Sequence, residues 1–216
     1  LRTFLTVLGV VIGISSVIVV FSAGEGIRGI ILGQIESFGT DIMETEIKIP
    51  SGNKQGQAAE QQNAAAIAQG VQITTLTLED MEDLEKLPNV GQGYAAIMSQ
   101  ELVSRGNESN KSYVYGTNAS FIDIDKSEIA EGRFFTEAED KGLARVAVIG
   151  SKLKSKYFGT GQAINKTIKI RRGKFRVIGV MKERGAVMTM DFDEFVYIPI
   201  RTLQKRVMGI DHVLFM

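Results

Sequence analysis

Residues 4 to 23 read FLTVLGVVIGISSVIVVFSA, with Arg2 before them and Glu25 and Arg28 after. The stretch holds 20 residues without a charge, and its only polar side chains are Thr6, Ser15, Ser16 and Ser22. A bilayer's hydrocarbon core is about 30 Å thick, and roughly 20 apolar residues cross it at helical rise. A secretory signal has a shorter apolar region, about 7–15 residues behind a basic start. Ser22 and Gly24 would serve as the small residues of a cleavage site, but the run is too long for that reading. The chain opens at Leu1, so the natural start is expected upstream. A core helix of a soluble protein carries a polar face, and this stretch has none. A transmembrane helix over residues 1–24 is the expectation, with an uncleaved signal and a buried core helix as the alternatives. Arg2 is the one basic residue ahead of it. That is too little for the positive-inside rule to set orientation.

Downstream, Ile27, Ile30, Ile31, Gln34, Ile35 and Phe38 recur at helical spacing, which predicts an amphipathic stalk over 25–38 that stops at Gly39. TEIKIP (45–50) alternates as a short strand. Residues 51–72 hold six Gln and six Ala, with Ile67 and Val71 the only large apolar side chains. Such a composition buries too little surface to offset ordering entropy and predicts a mobile loop. In TLEDMEDLEKLPNV, Thr77 is a candidate cap with Asp80 three residues on, and Leu78, Met81, Leu84 and Leu87 line one side of a helix. Residues 93–116 read as two strands around a polar turn at Arg105 to Lys111.

The second half opens with RVAVIG, a continuous apolar run suited to a buried strand. A short helix follows, with Ser151 as cap and Gly159 beyond its end. KTIKIRRGKFRVIGVM is a hairpin about Arg172–Gly173, EFVYIPI a strand, and RTLQKRVMG a last helix closed by Gly209. Strands outnumber helices, and hairpins mix with strand–helix pairs, which defines an α+β domain.

Residues 25–216 suffice for one sizeable domain or two small ones. The 25 basic residues balance 25 acidic ones, which argues against nucleic acid as a partner. With no Cys, disulfides, thiolate catalysis and zinc–sulfur sites are excluded. His212 is the one histidine, so no Ser/His/Asp set assembles without it, and no phosphate-binding G-x-x-x-x-G-K-[ST] occurs. Asp191, Asp193 and Glu194 suggest a calcium loop, but Phe195 and Val196 occupy the positions where a ligand and a Gly are required. They read as a solvated strand entry. Met181, Met188 and Met190 lack a Cys or nearby His to complete a copper site and read as adaptable packing. No cofactor, metal or catalytic residue is expected.

Gly9 and Gly13 form G-x-x-x-G with Ser16 further along, a spacing that lets two membrane helices approach closely. Residues 151–184 carry eleven Lys or Arg against one acid, whereas 72–140 carry fourteen acids against five bases. The alternatives are solvated or mutually attracting faces and a basic patch that docks an acidic protein or anionic lipid headgroups. The candidate patch is Lys169, Arg171, Arg172, Lys174 and Arg176.

The opening LRTFLTVLGVVIGISSVIVVFSAGEG resembles the first transmembrane segment of MacB/FtsX-type ABC transporter permeases. EGRFFTEAED (131–140), ARVAVIGSKLKSKYFG (144–159), INKTIKIRRGKFRVIGVM (164–181) and DFDEFVYIPIRTLQKRVMG (191–209) resemble that family's extracytoplasmic core in matching order. The resemblance implies one membrane helix, a two-lobed domain outside the cytoplasmic (inner) membrane, and three further helices. The outer domain would comprise a porter-like α/β lobe beginning at 39–117 and a β-rich inserted lobe over 118–216 that returns to the first at HVLFM. It further implies a homodimer or paired permease, driven by a cytoplasmic ABC ATPase subunit or domain. A periplasmic adaptor protein is a further implied partner. Export or release of a peptide, lipoprotein or hydrophobic small molecule would follow from mechanical movement. An FtsX-like regulator that binds a cell-wall hydrolase, and a single-pass anchored binding or sensor domain, are the other classes.

Overall fold

In the computed structural model the residues described are 2–38, 43–45, 74–125, 127–187 and 190–216. They belong to two units, Leu1–Ile42 and Met43–Met216. The strand expected at TEIKIP and the loop expected at 51–72 lie almost wholly outside the described residues.

The first unit is helix α1, Arg2–Phe38. Its apolar stretch Thr6–Gly29 has a mean hydropathy of 2.4, long and apolar enough to cross a membrane by length and composition. Val10, Ile14, Val17, Val20 and Phe21 are all exposed, so the apolar surface runs round the helix rather than along one stripe. A helix apolar on every side needs lipid or protein around it. The backbone stays helical through the expected stalk, and the apolar stretch reaches Gly29 rather than Gly24.

The second unit is built on a seven-stranded sheet. Strands β1 (Ala96–Arg105) and β2 (Glu108–Thr117) form a hairpin whose turn is only Gly106–Asn107. The remaining strands are β3 (Ile129–Gly132), β4 (Val146–Ile149), β5 (Thr167–Ile170), β6 (Gly173–Met181) and β9 (Phe195–Pro199). Two further strands, β7 (Ala186–Val187) and β8 (Met190–Asp191), pair separately. Because β5 pairs with both β1 and β6, the strands β6, β4, β9, β2, β1 and β5 close into a six-stranded ring, and β3 adds to β6 outside it. Pairs β2–β9 and β4–β6 are parallel.

Alternate residues sort onto the two faces of this ring, as strand geometry requires. One face carries Val103, Val114, Ile149, Ile168, Ile170, Phe175, Val196 and Ile198, all buried. This enclosed face is a packed core like that of a small barrel. The other face carries Tyr115, Val148, Ile178, Phe195 and Tyr197, covered by Phe121, Phe134 and Phe135. Ten aromatic rings form one connected set there among the described residues, with Tyr115 against Phe121, Phe195, Tyr197 and Phe215. At β5 and the start of β6 the side chains of this outer face are exposed, with no cover among the described residues.

Short helices close the ends of the strands. Helix α2, Leu78–Leu84, begins with the expected capping box: Thr77 accepts from the Asp80 amide and Asp80 accepts from the Thr77 amide. The helix side expected to comprise Leu78, Met81, Leu84 and Leu87 is shorter than expected, and only Leu78 and Met81 are buried. The helix is two turns long, Leu87 lies beyond it, and Leu84 and Leu87 are 38% and 50% exposed. Helix α3, Phe121–Ile124, carries the central aromatic ring Phe121. Helix α5, Ser151–Phe158, also departs from expectation, because its cap position is Gly150 and Ser151 is already helical. The hairpin turn is Arg171–Arg172 rather than Arg172–Gly173, with Arg171 at φ +50°. The last helix is a short turn, Ile200–Thr202, followed by a wider π turn, Leu203–Met208, which Gly209 closes at φ +74° as expected.

Residue 117, after which the second lobe is expected to begin, is the last residue of β2. Strand β2 ends there between β1 and β9, so strands assigned to the first lobe and to the second share one set of hydrogen bonds. The HVLFM segment runs back along earlier chain: Val213 donates to Leu76, and Thr45 and Met216 exchange amide hydrogen bonds of 2.7 and 3.2 Å.

Helix α4, Glu137–Lys141, supplies a pH test. Thr136 and Glu139 form its capping box, and Arg133 grips both Glu139 oxygens at 2.7 Å. The Arg133 guanidinium, ahead of the Thr136 bonds, holds the Glu139 carboxyl down at about 2. A depressed folded pKa gives stability that is present above the ordinary carboxylate pKa and is lost as pH falls toward 2. Half-exposed Arg133 is screened by solvent, so the contribution is on the order of 1–2 kcal/mol. Glu139→Gln should flatten the acid limb of an unfolding-versus-pH curve between about pH 4.5 and 2, followed by circular dichroism.

Candidate functional site

On α1, a Cβ built at Gly9 or Gly13 meets nothing within 4 Å, and Ser16 satisfies its hydroxyl by donating to the Ile12 carbonyl at 2.8 Å. Helical spacing puts the three on one side, a stripe open to a second helix.

The acidic trio does not converge. Asp191 pairs with Lys152 and accepts the Asp193 amide, while Glu194 is exposed. Asp193, expected to be solvated, is buried instead and accepts the amides of Arg184 and Gly185 at 3.0 and 2.9 Å. Among the described residues no group of His, Asp and Glu could hold a metal. Met181 is core, Met190 is 39% exposed, and Met188 lies outside the described residues. His212 forms a bridge with Thr77, and its carbonyl accepts from Gln204 at 2.9 Å.

A polar cluster missed by sequence reading sits at the edge of the aromatic layer. Arg184 Nη1 donates to Asp125 Oδ1 at 2.6 Å, and its guanidinium also lies over the Phe192 ring. Burial pushes the Asp125 carboxyl up despite that arginine. Burial likewise raises the Tyr94 hydroxyl to about 12 and raises Tyr115 and Tyr197, so all three stay neutral at any physiological pH. No local signal in SFIDID or KERGAV foretells this pairing, which spans 59 residues.

Of the five basic candidates, Arg171 is occupied. It pairs with Glu101 at 3.2 Å and donates to the Val207 carbonyl at 2.7 Å, tying the hairpin turn to β1 and to the π turn. Lys169, Arg172, Lys174 and Arg176 are exposed and form no ion pair among the described residues. Lys169 stands directly opposite Lys174, and Arg176 opposite Thr167. Like charges placed opposite in a sheet are destabilising, so the Lys169–Lys174 pair is kept against its own repulsion. On the neighbouring strands of the same face, Ser104 stands beside Lys169 and Lys111 stands opposite Leu102.

The acids expected to balance this region are mostly engaged inside the domain. Glu82 and Asp140 hold Arg201, Glu131 holds Lys154, Glu137 holds Lys141, and Glu128 holds Lys182. The charge asymmetry visible along the chain is therefore partly matched within the fold; besides the cations on the open outer face, Lys156 and Lys166 are exposed without an ion pair among the described residues.

An apolar helix long enough to cross a membrane, followed by a strand-built folded unit, defines the class: a folded domain carried on a candidate membrane helix. The chain belongs to the family of MacB-like periplasmic core domains, which it matches over residues 3–215. It is 34% identical over 208 residues to the macrolide export ATP-binding/permease protein MacB of Nitrosomonas europaea. It is 35% identical over 210 residues to the pyoverdine export ATP-binding/permease protein PvdT of Pseudomonas syringae pv. tomato. These alignments cover 95% and 96% of this chain but only 29% of either relative. The fold is similar to the periplasmic region of MacB from Actinobacillus actinomycetemcomitans, with a TM-score of 0.66 at 21% identity over 84% of this chain and 75% of that one. It is also similar to the extracellular domain of the ABC-type transporter YknZ from Gram-positive bacteria, with a TM-score of 0.58 at 24% identity over 65% and 70%.

Proposed function

We propose that this chain is the first membrane helix and outer core domain of an export permease whose movement is driven by ATP hydrolysis on another domain or chain. The observation that supports it best is the pairing of a fully exposed spanning-length helix with a domain matched, over nearly the whole chain, to relatives named export ATP-binding/permease proteins. On this reading α1 lies in the cytoplasmic membrane and the ring of strands lies outside it. The domain performs no chemistry itself and transmits rigid-body motion to a cargo already outside, a hydrophobic small molecule, peptide or lipoprotein. Its partners would be an ABC ATPase, a second permease protomer and a periplasmic adaptor, and the Gly9, Gly13 and Ser16 stripe would be a helix–helix contact.

The absence of Cys makes the test direct, since a single introduced thiol is the only one in these 216 residues. Ser155 is exposed on α5, and Ser155→Cys in the full-length protein should react with a membrane-impermeant maleimide on intact spheroplasts. Spin labels on the same thiol in a reconstituted dimer should change separation when ATP and vanadate are added. Labelling that requires permeabilised membranes, or a separation indifferent to nucleotide, would reject the reading.

A further inference from the structure

We propose that the uncovered outer face at β1, β5 and β6 is a docking surface for an acidic α-helix of a partner protein. Its contact set is Leu102, Lys111, Thr167, Lys169, Lys174 and Arg176. The proposal stands apart from the export reading, because it rests on this face alone and would hold for any membrane-anchored domain that carried it.

Three observations converge. First, Lys111, Lys169, Lys174 and Arg176 are exposed and without ion pairs among the described residues, while most carboxylates of the domain are engaged elsewhere. Among the described residues no carboxylate is paired with these four cations, so the face is open to an acidic partner. Second, Lys169 directly faces Lys174, an arrangement that repels in the free protein and is relieved once a carboxylate sits between them. Third, Leu102 is 52% exposed on the same face, between Lys111 on β2 and the turn after β5. An apolar contact at one end of a row of cations, with Lys111 directly opposite it, adds a hydrophobic element to the charged face, and interfaces combine the two.

The spacing selects the partner's form. Directly opposed side chains in a sheet are about 5 Å apart, and side chains two residues apart along a strand about 7 Å. Carboxylates three and four residues apart on a helix lie about 5–6 Å from one another, so one face of an acidic helix can meet several of these cations together. Three of the four are lysines, point charges without the planar fork that favours phosphate recognition.

The test uses the full chain in nanodiscs of phosphatidylcholine and a fluorescent alanine-rich helical peptide with glutamate at every fourth position. Anisotropy should report saturable binding that weakens steeply with salt. Lys169→Glu combined with Lys174→Glu should weaken it at least about tenfold, and Lys169→Ala with Lys174→Ala should weaken it less. Reversal of two exposed lysines on other elements, Lys86→Glu with Lys156→Glu, changes net charge equally and should leave binding within about twofold. The proposal is overturned if the reversal at β5–β6 has no effect, if the distant reversal has an equal one, or if a glutamine version of the peptide binds as well. Displacement to vesicles of phosphatidylglycerol, with no binding of the acidic peptide, would instead identify a lipid surface and also overturn it.

Discussion

Gly150→Ala is expected to cost the outer domain about 3 kcal/mol of stability, one of the largest effects of any single methyl group in the chain. The φ of Gly150, −68°, is open to any residue, so strain at the backbone is not the cause. Space is. A Cβ at this position would lie 2.3 Å from the carbonyl oxygen of Asp193 and 2.9 Å from its Cα. Those atoms are backbone and cannot rotate away. Gly150 is itself held on both sides, because it donates its amide to the Phe195 carbonyl at 2.9 Å and its carbonyl receives the Lys154 amide of α5. The added methyl would separate β4 from β9 where the ring is only two residue pairs deep. Gly106→Ala provides the contrast, since Gly106 has φ +59° in the β1–β2 turn and open space around it. Its cost should be only the left-handed backbone penalty of about 1 kcal/mol. Urea unfolding of both variants, followed by near-ultraviolet circular dichroism of the tyrosines, separates the two mechanisms. Equal midpoints would refute the steric account.

The same glycine shows where the fold is legible in the sequence and where it is not. VIGSK offers Ser151 as a local cap, and local rules favour it. The chain places Gly150 at the cap because of a neighbour 43 residues away, a contact that no window of sequence contains. Signals that depend on a few adjacent residues were readable: the Thr77–Asp80 box, the β1–β2 and β5–β6 hairpins, the buried VAVI strand and the stop at Gly209. Closure of the ring was not, because β5–β1 pairing joins segments about 66 residues apart through two residue pairs. The charged surface was half legible. Clustered Lys and Arg between 151 and 184 announced it, but only the register shows that Arg171 is tied inward to Glu101 and that Lys111, from a different hairpin, stands on the same face.

Asp193→Ala should destabilise the domain by about 2–3 kcal/mol and do so unevenly. The carboxylate is buried, and its two oxygens are taken by the amides of Arg184 and Gly185. Removing it leaves both donors without their acceptor, which costs more than the net value of two hydrogen bonds. The segment it holds leads directly into β7, and Gly185 at φ +79° is the point where that segment turns. Arg184 is anchored a second time, through Asp125 and Ser127, so its side chain stays attached when its amide is released. The expected result is local loosening of 182–187 ahead of global unfolding, visible as faster amide hydrogen exchange there at denaturant concentrations where β2 and β9 remain protected. Asp193→Asn keeps an acceptor oxygen for one of the two amides and should fall between wild type and alanine. Should exchange rise uniformly across β2, β9 and 182–187, the carboxylate would be a global core contact instead of a local clamp, and the two-anchor account of this segment would be wrong.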